Sequence, residues 1–336
     1  MNANSRGTMR KLMLILSTCV LSSQAAFAGF CDFGCSDWPS ADSNCYAGWP
    51  PDFNIDLNVG FRKDKFDWSI AGVTETPEGE LIDSPNILSE LKWKDLRMAQ
   101  AGGDIYYVSC RNYAIHLGAQ YGTIYHGKVS DFDYAGDGRT GLFSLSRNKA
   151  NGGHVYDLSA AAGYRITSTC NRFVALVLAG YSQHAQYLQI TDGHQIFPIN
   201  HEFSGLNSRY TTRWYGPWLG VDFEARVERC AYLFGSFELH LLAYRGHGLW
   251  NLRPDIGRFH HKANGQGYVL TLGGKWEIFN NWAIGVMGNY RMFRTGHGSE
   301  RSIYLDPIEG PITISARFNG ARWHTYSVSG TVSWRY

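Results

Sequence analysis

The sequence predicts an all-β protein: a transmembrane antiparallel up-and-down β-barrel of about ten strands, with short periplasmic turns and long extracellular loops. Three observations predict it. Apolar and polar residues alternate over stretches of about ten residues, longer than the roughly five or six of an ordinary soluble strand and sufficient for a tilted membrane-spanning one. Aromatics and glycine are abundant, with 20 Tyr, 18 Phe, 11 Trp and 38 Gly, a mixture that suits strands with interfacial aromatic girdles. Cys110, Cys170 and Cys230 fall sixty residues apart, each in a short polar break between two alternating stretches, as hairpins of one period require.

The chain divides into three parts. Residues 1–28 have the form of a secretory signal: Arg6, Arg10 and Lys11 make the charged start, Leu12 to Leu21 the apolar run, and Ala26-Phe27-Ala28 an A-x-A cleavage site before Gly29. A membrane anchor is the alternative, for which the run is short. Residues 29–51 form a Gly/Asp/Ser/Pro-rich segment carrying Cys31, Cys35 and Cys45, expected in the periplasm. Residues 52–336 are the expected barrel. Outside the leader no run of about 18 apolar residues marks a membrane helix.

The first strand is the clearest. Phe53, Ile55, Leu57, Val59 and Phe61 alternate with Asp52, Asn54, Asp56, Asn58, Gly60 and Arg62, so one face is apolar and the other has no apolar side chain. The period recurs from Tyr156 to Ile166, Tyr215 to Val227, Leu233 to Leu241 and Trp282 to Met292. Asp222, Glu224, Arg226 and Glu228 share one strand face; such a row cannot enter a dry core unpaired but can face a polar barrel interior. Ten strands are expected, at approximately 52–63, 92–108, 113–126, 154–168, 172–188, 212–228, 231–245, 266–279, 282–294 and 323–336. Connections near 109–112, 169–171, 229–230 and 279–281 are tight, whereas 64–91, 127–153, 189–211, 246–265 and 295–322 are long. Tyr336, Trp334, Val332, Gly330, Val328 and Tyr326 share one parity, and this aromatic-ended strand resembles the outer-membrane assembly signal. The expected location is therefore the bacterial outer membrane.

Loss of the leader removes three basic and no acidic residues, leaving the exported chain close to neutral. No basic block argues for nucleic acid, so the expected partners are outer-membrane lipid or lipopolysaccharide and, through cysteines, other envelope proteins. No nucleophile elbow or Walker motif occurs, and no cofactor is expected. No metal site is expected either: adjacent His260 and His261 would face opposite ways in a strand, and their surroundings favour a solvated loop.

Six cysteines remain after the leader, Cys31, Cys35, Cys45, Cys110, Cys170 and Cys230, an even number suited to disulfides in an oxidising compartment. Adjacent turn cysteines would lie two strand spacings apart, roughly 9–10 Å, beyond the ~7 Å that a disulfide spans. The N-terminal three are therefore expected to staple to the turn three, or all to crosslink neighbouring proteins.

Several segments resemble the omptin family of ten-stranded outer-membrane proteases. Ser89-Glu90-Leu91-Lys92-Trp93-Lys94 looks like the start of that family's second strand, Leu178-Ala179-Gly180-Tyr181 like its A-G-Y-Q signature, and Gly216-Pro217-Trp218-Leu219-Gly220 like its P-Y-I-G-L run. Gly127-Lys128-Val129-Ser130-Asp131-Phe132-Asp133-Tyr134 resembles the segment holding one catalytic aspartate pair. The resemblance implies Asp131 and Asp133 as that pair, able to share a proton and position a water; two solvated loop aspartates are the plainer reading. The family's D-x-H motif is missing, for residues 246–256 read GHGLWNLRPDI and Asp255 precedes His260 by five positions. Composition and cysteine placement also resemble the cysteine-bearing outer-membrane proteins and porins of chlamydia-like bacteria, which implies disulfide reinforcement of an envelope. Three functions stay open: a non-enzymatic envelope or narrow porin-type barrel, a surface aspartyl endopeptidase of omptin type, and an adhesin acting through its loops.

Overall fold

The computed structural model describes residues 52–76, 79–167, 173–228, 230–279, 281–306 and 310–336. The expected leader, the segment 29–51 with Cys31, Cys35 and Cys45, and Cys170 lie outside the described residues. The strands are β1 (Asp52–Ile70), β2 (Thr74–Glu75), β3 (Leu81–Ile82), β4 (Ser89–Val108), β5 (Tyr113–Gly136), β6 (Thr140–Lys149), β7 (Gly153–Thr167), β8 (Phe173–Phe197), β9 (His201–Arg226), β10 (Ala231–Leu249), β11 (Ile256–Phe279), β12 (Trp282–Asp306) and β13 (Gly310–Arg335).

Ten strand positions close into one antiparallel ring. Running round it, β1 is followed by β4, β5, β7, β8, β9, β10, β11, β12 and β13, and β13 pairs back onto β1. Closure leaves no edge, so every backbone group in the bilayer finds a partner on a neighbouring strand. β6 and β7 occupy one position in succession. β6 pairs with the outer parts of β5 and β8, and β7 with the parts below. The step between them uses Gly152 and Gly153 at φ of 98° and 88°, values open to glycine because it has no Cβ.

All ten expected strands are present, and each long connection is shorter than the sequence pattern suggests. β1 continues to Ile70, β5 to Gly136, β8 to Phe197 and β10 to Leu249, while β9, β11, β12 and β13 take in most of the remaining long segments. The long extracellular connections are thus hairpin arms that carry the sheet beyond the membrane. The alternation of the sequence breaks at about residue 63 in β1 because the apolar parity changes there.

That change organises the molecule. Outward-facing Leu57, Val59 and Phe61 are 60%, 66% and 71% exposed, as a lipid-contacting face must be. Inward-facing Asn58, Arg62 and Asp64 are buried. Two residues further on, the inward positions become Phe66 and Trp68, both buried, while the outward ones are Lys65 and Asp67. β12 repeats this, with inward Arg291 followed by inward Phe293, and β13 with inward Thr325 preceded by Trp323. Within the bilayer the sheet is apolar outside and polar inside; above it, the reverse. The expectation of a polar interior therefore holds only for the lower half. Where the outer surface meets water, the hydrophobic effect moves apolar side chains into the lumen.

Candidate functional site

The lumen has four levels. Lowest is a polar cavity of about 270 Å³, running from strand ends at Asp52, Glu224 and Arg335 up to Arg62, His184 and Arg291. Its roof is an ionic cluster. Arg62 Nε donates to Asp64 Oδ1 (2.9 Å) and its Nη1 to Asp157 Oδ2 (2.7 Å). Arg291 Nη1 donates to Asp157 from the opposite wall, since β12 and β7 stand five positions apart in the ring of ten. His184 Nδ1 lies 2.8 Å from Asp157 Oδ1, and Trp323 Nε1 donates to Asp64 Oδ2 at 2.8 Å. Two guanidinium groups meet two carboxylates, so the buried charges cancel and their oxygens are largely hydrogen-bonded, the condition under which buried ion pairs are tolerated.

Above the cluster the lumen is filled with aromatic rings. Phe66, Trp93, Tyr210, Trp214, Phe293 and Trp323 are all at most 1% exposed. Phe66 on β1 lies 5.9 Å from Tyr210 on β9 between ring centroids, and Trp214 lies 5.8 Å from Phe293 and 6.5 Å from Trp323. β1 and β9 are on opposite sides of the ring, so the Phe66–Tyr210 contact crosses the whole bore. These spacings fall in the favourable range for aromatic pairs. The plug is a packed core and not a channel lining.

The rim holds Asp131 and Asp133, side by side on the inward face of β5. Their register partners are Leu91 and Ser89 on β4, and Ser146 and Ser144 on β6. They are strand residues and not solvated loop residues. Burial, with Asp133 beside it, pushes the Asp131 carboxyl well above the usual carboxylate range. Burial also raises Asp133, against the Ser89 and Ser144 hydroxyls and the Arg253 charge, which lower it. One Asp131 oxygen is buried without a partner. The pair is therefore suited to holding a proton.

No histidine among the described residues contributes to the electrostatics of either aspartate. The β10–β11 connection carries Arg253, whose Nη2 donates to Asp255 Oδ2 at 2.8 Å. His260 and His261 lie on β11 and not in a solvated loop, and they do face opposite ways. His260 pairs with His247 on the outer face, Nδ1 to Nδ1 2.6 Å. His261 is enclosed with Tyr210, its Nδ1 2.6 Å from the tyrosine oxygen, and with Glu300 at 3.4 Å. Burial lowers the His261 pKa, which keeps the imidazole neutral. Cys110 and Cys230 are exposed in the lower turns and have no disulfide partner among the described residues. The roof residues Asp64, Asp157 and His184 carried no motif; their signal was the inward parity of alternating strands.

A closed ring of ten antiparallel strands with a lipid-facing apolar band and a polar lower lumen defines an outer-membrane β-barrel. Residues 56–336 match the family described as Pom: Protochlamydia outer membrane protein. The chain belongs to that family and is an outer-membrane barrel protein of chlamydia-like bacteria. No curated protein matches the sequence. Among solved structures it is similar to the outer-membrane protease OmpT of Escherichia coli, with 15% identity, 87% of this chain and 99% of that chain covered, and a TM-score of 0.70. At that identity the likeness shows a shared omptin-like fold alone. Matches to OprG of Pseudomonas aeruginosa (9% identity, 86% and 98% covered, TM-score 0.32) and to the NalP translocator domain of Neisseria meningitidis (10%, 97% and 98%, 0.34) are too distant to carry an argument.

Proposed function

We propose that the protein is a closed, non-conducting envelope barrel that holds rigid surface arms and is tied to its surroundings by lipid and by thiols. The aromatic plug carries this reading. Rings from opposite walls touch across the lumen, so there is no aqueous path for the porin-type role. Refolded protein in planar lipid bilayers is expected to show no steady conductance steps, and reproducible ion-selective steps would overturn the proposal.

Two surface features support the attachments. On the outer face just above the membrane, Arg213, Arg245 and Lys262 oppose one another directly on β9, β10 and β11, with the Arg245 guanidinium 5.7 Å from the Tyr215 ring centroid. Like charges in register repel unless an anion joins them, and lipid phosphates lie at that level. Anionic outer-membrane lipid, lipopolysaccharide included, is the partner this row fits. Cys110 and Cys230 are exposed at the periplasmic end, where disulfides with Cys31, Cys35, Cys45 and Cys170 or with other envelope proteins would form. Non-reducing against reducing mass spectrometry of isolated envelopes tests this; free thiols at all six positions would sink it.

A second reading, omptin-type endopeptidase, is favoured by one observation: Asp131 and Asp133 adjacent on the inner rim. It requires cleavage of a dibasic peptide by the refolded barrel and loss of that cleavage in both Asp131→Asn and Asp133→Asn.

A further inference from the structure

We infer that the lower lumen is a binding pocket for a small organic cation, a compound bearing primary ammonium groups, taken up from the periplasmic side. The inference is independent of the envelope role proposed above. Several features of the cavity point to it.

The first is the balance of charge. Seven carboxylates line the cavity against five arginine or lysine side chains. The cations are accounted for on one side. Arg62 and Arg291 hold Asp157, Lys275 Nζ lies 2.7 Å from Asp56, Arg335 lies 2.9 Å from Glu224, and Arg165 lies 3.7 Å from Asp52. The remaining carboxylates, Asp104, Asp222 and Glu238, have no arginine or lysine ion pair among the described residues. Asp104 lies 3.0 Å from His116 Nε2, Glu238 lies 2.8 Å from His240 Nε2, and Asp222 accepts from the Tyr106 hydroxyl at 3.1 Å. Tyr106 stacks on His116 with ring centroids 4.2 Å apart, which ties these groups into one acidic wall.

The second is a set of unused polar atoms. Asn58 Oδ1, His116 Nδ1, His184 Nε2 and Thr331 Oγ1, all able to accept a hydrogen bond, have no protein partner, and all four residues are more than nine-tenths buried. All four line the cavity. Buried polar groups left unpaired are costly, so these four acceptors favour a donor-bearing occupant. Carbonyl and hydroxyl oxygens there accept from an ammonium, and the acidic wall supplies the counter-charge.

The third is access. The roof of ion pairs and the aromatic plug close the pocket to the cell exterior, while among the described residues the strand ends at Asp52, Glu224 and Arg335 leave it reachable from below. A dead-end pocket binds and releases on one side; it does not transport. Metal chemistry fits less well, because no three metal-ligating side chains converge among the described residues.

The test is calorimetric titration of the full exported chain, refolded in zwitterionic detergent at low salt, with putrescine and with succinate, a four-carbon dianion. Putrescine is expected to bind saturably at one site and succinate not at all. Asp104→Asn/Asp222→Asn should weaken putrescine at least about tenfold, equivalent to roughly 1.4 kcal/mol, whereas Asp222→Glu should retain binding. If the double variant fails to fold, judged by its heat-modifiable migration, Glu238→Gln serves the same comparison. No saturable heat from putrescine with folded protein would mean a water-filled or self-occupied cavity and overturn the inference. Binding that persists undiminished in the folded variants would also overturn it.

Discussion

The lower and upper halves of this barrel use the same strands in opposite ways. In the lower half, Leu57, Val59 and Phe61 point outward while Asn58, Arg62 and Asp64 point inward. In the upper half, Lys65 and Asp67 point outward while Phe66 and Trp68 point inward. β1 keeps its inward parity across the boundary, although its register with β4 shifts between Asp64 and Phe66; what changes for β1 is the solvent outside it. Lipid accepts apolar side chains and cannot satisfy polar ones, so polar groups move inside and must pair. Water outside the arms reverses the preference, and the interior becomes an ordinary hydrophobic core. An aromatic-filled upper lumen follows from the second half, and a polar cavity from the first.

The comparison can be broken most severely at the boundary, where the two interiors meet. Asp157→Ala strips Arg62 and Arg291 of their shared carboxylate and is expected to cost about 3–5 kcal/mol, the usual penalty for orphaning buried charge. Urea unfolding of the refolded barrel measures it; a loss under about 1 kcal/mol would show that water replaces the carboxylate and that the cluster is not closed. Trp214→Ala in the plug should cost a similar amount, about 3–5 kcal/mol, and the Trp214→Ala/Trp323→Ala pair should let small ions through in bilayer recordings. A pair of arginine substitutions sharpens the outer-face contrast. Leu57→Arg, facing lipid, should destabilise by about 2–4 kcal/mol, whereas Asp67→Arg on the arm should stay within about 1 kcal/mol even with its Arg322 pair lost.

The smallest effect concerns the rim. Burial raises the folded carboxyl of Asp131 above its unfolded value. The folded state is therefore unpenalised below the unfolded pKa, near 4, and loses stability as pH rises from there through the raised folded value. Asp131→Asn should consequently slow limited proteolysis of the arms at pH 8 and make no difference near pH 3. Equal cleavage rates at pH 8 would show that Asp131 is solvated. His261 works in the other direction, since its depressed pKa costs stability only as pH falls below about 6.5, so wild-type arms should resist proteolysis best at intermediate pH.

Much of the fold was legible. The strands at 52–63, 154–168, 212–228, 231–245, 282–294 and 323–336 were marked by alternating lipid-facing residues, whereas 92–108 and 172–188 alternate poorly. The arms were less legible because the apolar residues change parity at the membrane boundary: after Phe61, the next inward apolar residues are Phe66 and Trp68, and a period-2 pattern that shifts face looks like a strand that ends. Asp131 and Asp133 were recognisable as a pair, but not their burial, which depends on β4 and β6 closing over them. The charge cluster was least visible, because Arg62, Asp157 and Arg291 belong to distant strands and each alone looks like one more lumen residue.

By itself the sequence determined the class of fold, the order and polarity of the strands and the outer-membrane destination, because those depend on alternation within single strands and on short turns. The sixty-residue cysteine repeat belongs to the same class of local signal. Only the tertiary structure decided that the upper lumen fills with aromatic rings, that charges from opposite walls meet in one cluster and that a carboxylate-lined cavity lies beneath it. Those properties arise between strands on opposite walls, whose contact is set by ring closure and barrel diameter.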